Sequence, residues 1–225
     1  MQVIVMASQK GGSGKTTLAF HIAVAAEAAG AGPVVLIDTD AQATLTQWWK
    51  KRDGDTPKMA ETDTATLQST LAELKDAGFK LAIVDTAGRS NEASRSVIQQ
   101  ADLVVMPVKP SASDLWALTA TVEACKSSGR PFTFVVSQAV RGAALTVQAV
   151  SALSEHGVVA PVVVHNRVGY AAAMGLGLTI QEIEPKGPGA AEIAALWEFV
   201  QKRMPSIVQT SKRASQKVKK ELVHG

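Results

Sequence analysis

The segment Gln9-Lys10-Gly11-Gly12-Ser13-Gly14-Lys15-Thr16-Thr17 constrains the fold of this chain more than any other feature of its 225 residues. A glycine-rich loop ending in Gly-Lys-Thr arises by chance in unrelated proteins, so its flanks decide what it means. Here the apolar run Gln2-Val3-Ile4-Val5-Met6 leads into it, and a stretch with helical spacing opens at Lys15. In a strand–loop–helix unit, Gly11, Gly12 and Gly14 let backbone N–H groups close around a phosphate at a helix N-terminus. Lys15 is then placed to neutralise phosphate oxygens, and the Thr16 hydroxyl to ligate Mg²⁺.

The rest of the chain repeats the alternation. Apolar runs predict strands over 2–6, 34–38, 81–85, 103–108, 133–136 and 158–164, with a weak polar edge strand over 57–62. Helical spacing covers 15–29, 43–51, 66–77, 92–100, 113–128, 143–156 and 190–204. The strand runs are near-continuous Val, Ile and Leu, as strands buried on both faces are. The expected fold is therefore α/β, a P-loop NTPase with a mostly parallel twisted sheet and helices on both faces. One domain is expected over 1–204, with 205–225 as a basic C-terminal helix or tail. No apolar run reaches the roughly eighteen residues of a membrane span, and the uncharged N-terminus reads as a strand instead of a signal peptide. The lone Cys125 reads as a small core residue. These features point to the cytoplasm.

Two further strand ends carry carboxylates. Ile83-Val84-Asp85-Thr86-Ala87-Gly88 sets Asp85 where Mg²⁺ is held, usually through water, and Leu36-Ile37-Asp38-Thr39-Asp40-Ala41-Gln42 supplies Asp38 and Asp40. A lone aspartate at such a place reads as readily as a helix cap or a loop charge. In a parallel sheet, however, these strand ends converge on the crevice where ligand binds, and all three acids end strands beside the glycine loop.

Lys10, just ahead of the glycines, together with Asp38-x-Asp40-x-Gln42, resembles the ParA/MinD family of deviant Walker A ATPases over 1–204. The resemblance is greatest to the small ParA-type partition ATPases, ParF-like in length and in Ser13, without an N-terminal helix-turn-helix. It implies ATP and Mg²⁺ as cofactors and an ATP-dependent homodimer in which Lys10 reaches the partner's phosphates. It implies Asp40 as the residue that positions the attacking water, so that Lys10 and Asp40 are the catalytic pair. The nucleotide would be held by Lys10, Gly11, Gly12, Ser13, Gly14, Lys15, Thr16 and Thr17, with Asn166, Arg167 and Tyr170 in the segment bordering adenine. The metal would lie near Thr16, Asp38 and Asp85. Pro107-Val108-Lys109-Pro110-Ser111 with Asp114 and Leu115 resembles the family's proline-containing strand end and following helix. Arg141 stands where relatives carry an arginine, Gly189-Ala190-Ala191-Glu192 resembles the start of the last main helix, and Ala41 departs from a frequent proline.

What such a dimer holds is expected from charge. From residue 201 onward seven basic residues, Lys202, Arg203, Lys212, Arg213, Lys217, Lys219 and Lys220, face one acid, leaving 1–200 with a net charge of −3. The apolar residues of this end are too sparse for a membrane helix, while its cations suit nucleic-acid phosphates; a solvated tail is the other reading. The resemblance then implies a slow ATP hydrolase on non-specific nucleoid DNA that segregates plasmid or chromosomal DNA with a ParB-like or cargo-adaptor partner. The alternatives are same-fold positioning of a protein cargo (a chemoreceptor cluster or microcompartment) or a MinD-like membrane switch. A single cysteine per chain does not match the iron–sulfur relatives. The histidines show no metal spacing, and Trp48 and Trp49, adjacent on a helix, read as packing or dimer contacts before base stacking.

Overall fold

The computed structural model describes residues 1–88 and 92–204. Its strands are β1 (Gln2–Met6), β2 (Val34–Asp38), β3 (Lys58–Ala60), β4 (Leu81–Asp85), β5 (Leu103–Val108), β6 (Phe132–Ala139) and β7 (Val164–His165). Its helices are α1 (Lys15–Ala28), α2 (Thr44–Lys51), α3 (Leu67–Asp76), α4 (Glu92–Gln99), α5 (Ala112–Trp116), α6 (Thr119–Ser127), α7 (Ala144–Ser154), α8 (Val168–Gly175), α9 (Ile180–Ile183) and α10 (Pro188–Arg203). The strands form one parallel sheet in the order β3-β2-β4-β1-β5-β6-β7. Register sets Asp38 beside Asp85 and Met6 beside Asp85, so the glycine loop and both acidic strand ends share one edge.

Alternation along each strand gives the sheet two cores. Ile4, Met6, Leu36 and Ile83 pack with α1, α2 and α8 to α10, whereas Val3, Val5, Val35 and Val84 pack with α3, α4, α6 and α7. Cys125 is buried in the second core. Trp48 stacks on Phe20 at 4.4 Å between ring centroids and donates to the Leu178 carbonyl, while Trp49 donates to the Pro57 carbonyl. Both tryptophans are packing residues.

Three expectations need correction. The strand expected over 158–164 is broken: Val159 bridges Phe134 in isolation and regular pairing resumes only at Val164. Pro161 lies between and has no N–H to donate to a ladder. The helix expected over 113–128 is two helices, α5 and α6, broken after Trp116. The Gln9 amide, oriented to satisfy both partners, takes the freed groups, donating to the Ala117 carbonyl and accepting from the Thr121 N–H at 3.3 Å each. Helices α8 and α9 were not expected from the spacing. Thr179 and Glu182 form a capping box on α9, a pattern visible in the sequence.

His21 joins α1 to α9. Its Nδ1 donates to the Thr17 carbonyl at 2.7 Å, and its Nε2 accepts from the Ile180 N–H at 3.0 Å, so the imidazole must be neutral. Burial pushes its pKa down from 6.5 to about 4. A histidine whose folded pKa lies below its unfolded value contributes stability that is present above about pH 6.5 and lost as pH falls toward about 4. Wild type should thus lose about 3 kcal/mol more than His21→Gln between pH 7 and pH 4 in urea titrations. The difference between the two proteins is the relevant measure, because buried Asp85, with its pKa raised to about 7, shifts stability the opposite way. Equal pH slopes for the two proteins would refute this role for His21.

Among the described residues no helix is long and apolar enough to cross a membrane. The expected tail over 205–225, with Lys212, Arg213, Lys217, Lys219 and Lys220, lies outside the described residues.

Candidate functional site

The glycine loop leaves β1 and turns into α1 through residues that need glycine. Gly12 and Gly14 have φ of +72° and +103°, a backbone region that residues with a Cβ rarely enter. Gly14 caps α1, and the Lys15 side chain behind it is buried. Burial lowers the Lys15 pKa, against the attraction of Asp85 and Asp40. Gly88, after β4, approaches the Gly11 backbone so closely that a Cβ there would lie 3.1 Å from the Gly11 nitrogen.

The three acids have different surroundings. Asp85 is buried, and its Oδ2 accepts from the Thr16 hydroxyl at 2.6 Å. Burial pushes its pKa up to about 7; the Thr16 hydrogen bond opposes this and the charge of Asp38 adds to it. Asp38 spends Oδ2 on the Thr46 N–H and hydroxyl and Oδ1 on the Asp40 N–H, thereby shaping the loop that leads into α2. Asp40 accepts from the Gln42 N–H at 3.0 Å and lines the main cavity. That cavity, of about 700 Å³, lies between the glycine loop, Lys15, Thr16, the 40–44 loop and Ala87-Gly88.

The residues present fit a magnesium nucleotide. Asp85 Oδ1 and Ser13 Oγ are buried with no hydrogen-bond partner among the described residues, a costly state unless a ligand or its water completes them. Among the described residues no cluster of three or more acid, histidine or cysteine side chains could hold a metal by itself. One hydroxyl and one carboxylate, completed by substrate phosphates and water, are the usual provision for Mg²⁺.

A second cavity, of about 230 Å³, adjoins the first and shares Gly14, Thr17, Gln138 and Met174 with it. Asn166, Arg167 and Tyr170 line this cavity, bringing the residues expected beside the base next to the phosphate loop. Arg167 is held by Glu192, which also accepts from His165 Nδ1 at 2.7 Å and from the Tyr170 hydroxyl at 3.3 Å. Burial alone would raise the Glu192 pKa, but the hydrogen bonds from Arg167 and His165 outweigh it and keep the carboxyl below its usual range. Arg167 therefore shapes the cavity wall through Glu192.

Lys10 is not in either cavity. Its ammonium pairs with Asp114 at 2.9 Å and bonds Ser113 on α5. Lys202 pairs with Glu198 on the exposed side of α10, and Arg203 and Arg141 are exposed. Two residues that sequence reasoning missed hold the glycine loop from β6. Ser137 Oγ donates to the Ser13 carbonyl at 2.6 Å, and Gln138 Nε2 to the Gly12 carbonyl at 2.7 Å. Gln138 adopts φ +53° at a bulge in β6, a strained conformation for a non-glycine residue and one that clusters at functional sites. Nothing in the local sequence signals it, because its partner is 126 residues away.

Residues 4–180 match the protein-family model described as the CobQ/CobB/MinD/ParA nucleotide binding domain. Among curated proteins, the chain is 34% identical to Protein ParA of Rhizobium radiobacter over 119 residues, about half of each protein (51%). It is 28% identical over 200 residues to the maintenance of carboxysome distribution protein A of Halothiobacillus neapolitanus, covering 84% of this chain and 91% of that one. Among solved structures, the septum site-determining protein MinD of Pyrococcus horikoshii, complexed with Mg-ADP, superposes with a TM-score of 0.75 at 16% identity, covering 88% of this chain and 95% of that one.

Proposed function

Because this chain belongs to the CobQ/CobB/MinD/ParA nucleotide-binding domain family, we propose that it is an ATPase that dimerises around MgATP and, as a dimer, holds non-specific DNA. The observation that carries this reading is the hydrogen bond from Thr16, which lines the open cavity beside buried Lys15, to Asp85, whose Oδ1 has no hydrogen-bond partner among the described residues. Thr16 and Asp85 would hold Mg²⁺, which would supply charge neutralisation to the nucleotide's phosphates. Lys15 binds the same oxygens in cis, and the N–H groups of the glycine loop cradle the phosphates. Asp40 orients the attacking water from the cavity wall. Asp38 stands at the metal side through its closeness to Asp85 and keeps the Asp40 loop in shape. Asn166, Arg167 and Tyr170 flank the base.

Lys10 is the residue whose role requires a second copy. It lies outside its own phosphate cavity, so its release from Asp114 lets it reach the phosphates of a facing protomer and offset charge on the transferring phosphoryl group. ATP then acts as a clock for dimerisation, ended by slow hydrolysis that a ParB-like or cargo-adaptor protein stimulates. The excess of cations after residue 200 supports nucleoid DNA as the surface, and a cytoplasmic place for the reaction. The cargo would be plasmid or chromosomal DNA. A second reading, positioning of a protein cargo, is favoured by the carboxysome-distribution relative that spans 84% of the chain.

Co-sedimentation with DNA and with anionic liposomes, in ADP, ATP and a non-hydrolysable analogue, tests the proposal. DNA retention is expected only with ATP or the analogue, falling about ten-fold or more between 50 and 200 mM salt if three or more phosphates are contacted. Salt-insensitive retention, or capture by liposomes alone, would refute DNA as the partner.

A further inference from the structure

Two lysines stand against the outer side of the glycine loop. Lys10 is neutralised by Asp114, which is itself buried and accepts a further bond from the Ser111 hydroxyl. Lys109, directly after β5, brings its ammonium to 3.7 Å from where a Cβ on Gly12 would sit. Its side chain makes no hydrogen bond or ion pair with any described residue. Neither lysine lines the phosphate cavity, where Lys15 supplies the cation. Two ammonium groups against one carboxylate leave this face with an uncompensated positive charge, held beside backbone that is expected to bind phosphate. An anion arriving from outside the chain resolves that imbalance.

The same face shows what kind of molecule brings the anion. Helix α5, which supplies both partners of Lys10, exposes 78% of Trp116. It packs against α7, where Leu145 and Val147 are also exposed. Exposed aromatic and aliphatic side chains of this size mark a surface that another protein covers, whereas a DNA backbone would leave them in water. A second copy of this chain, carrying its own bound triphosphate, supplies both the covering surface and the anion.

We propose that Lys109 acts across the dimer, beside Lys10, on the triphosphate held by the facing copy. This rests on the reading that the chain dimerises around ATP. In the assembled pair each nucleotide would meet Lys15 from its own chain and two lysines from the other.

Lys109→Gln should leave the affinity of the monomer for a fluorescent ADP unchanged and raise the dimer dissociation constant with a non-hydrolysable ATP analogue about ten-fold or more, as expected for the loss of a charge-assisted contact. Lys109→Arg should keep most of the dimer. Mixing decides the direction of action. A Lys109→Gln chain keeps Asp40, and an Asp40→Ala chain keeps Lys109, so a mixed dimer has one complete site only if Lys109 works in trans. ATP turnover of the mixture above that of either variant alone is the expected result. A defect in Lys109→Gln with no gain on mixing would overturn the trans assignment, as would a Lys109→Gln dimer as tight as wild type. Weakened DNA retention by Lys109→Gln with an unchanged dimer would overturn it in favour of a DNA contact. A wild-type chain that stays monomeric with the analogue would overturn the dimer reading, and this inference with it.

Discussion

Lys15→Ala is expected to abolish nucleotide binding while leaving the chain folded. Lys15 is buried at the start of α1, between the glycine loop and the carboxylates of Asp85 and Asp40. Among the described residues its ammonium makes only a long 3.4 Å bond, to the Lys10 carbonyl, so little of its donor capacity is spent on them. Bound phosphates would take the remaining donors in charge-assisted contacts worth roughly 1.5–3 kcal/mol each. Losing two of them weakens binding by about 10²–10⁴-fold, and the Lys15 ammonium no longer offsets the negative charge of the neighbouring acids. Titration with a fluorescent ATP analogue measures the loss, and circular dichroism checks the fold. Binding within about five-fold of wild type would remove the main cavity from the nucleotide assignment.

Asp40→Ala should have the opposite signature, with binding kept and chemistry lost. Asp40 sits on the cavity wall in a loop whose shape is held independently by Asp38, through Thr46, and by Thr39, whose hydroxyl donates to the Asp85 carbonyl at 2.8 Å. Removing the Asp40 carboxylate therefore takes away a water-orienting acceptor without unmaking the loop. Loss of a positioned general base typically costs about 10²–10⁴-fold in turnover. ATP binding and ATP-dependent dimerisation should persist, and the dimer should live longer because its clock has stopped. Single-turnover hydrolysis and analytical ultracentrifugation with ATP read the two properties separately. A variant that hydrolyses at the full rate would sink the role given to Asp40.

The parts of the site legible in the sequence were those built from consecutive residues. Lys10 to Thr17 run from the loop after β1 into the first turn of α1, while Asp38 and Asp85 end the strands that the apolar runs delimit and Asp40 follows two residues after β2. The edges of the fold were less legible. Pro161 interrupts what hydropathy alone presents as one strand, and α8 is so rich in Ala and Gly that it carries no amphipathic signal. At the division of α5 from α6 the partner is Gln9, more than a hundred residues away, whose amide accepts and donates at the break.

The sequence by itself determined a phosphate-binding loop on a parallel α/β sheet, with acids at neighbouring strand ends, because glycine conformations, strand burial and helix spacing are local properties. Only the tertiary structure decided how those groups spend their charge and hydrogen bonds. It put Lys10 on Asp114, Arg167 on Glu192, Gln138 on the Gly12 carbonyl and Lys109 beside the loop with no partner among the described residues. The reason is physical: a side chain's partner is chosen by which strand ends and helices the sheet order brings together, and that order is not written in any one stretch of chain.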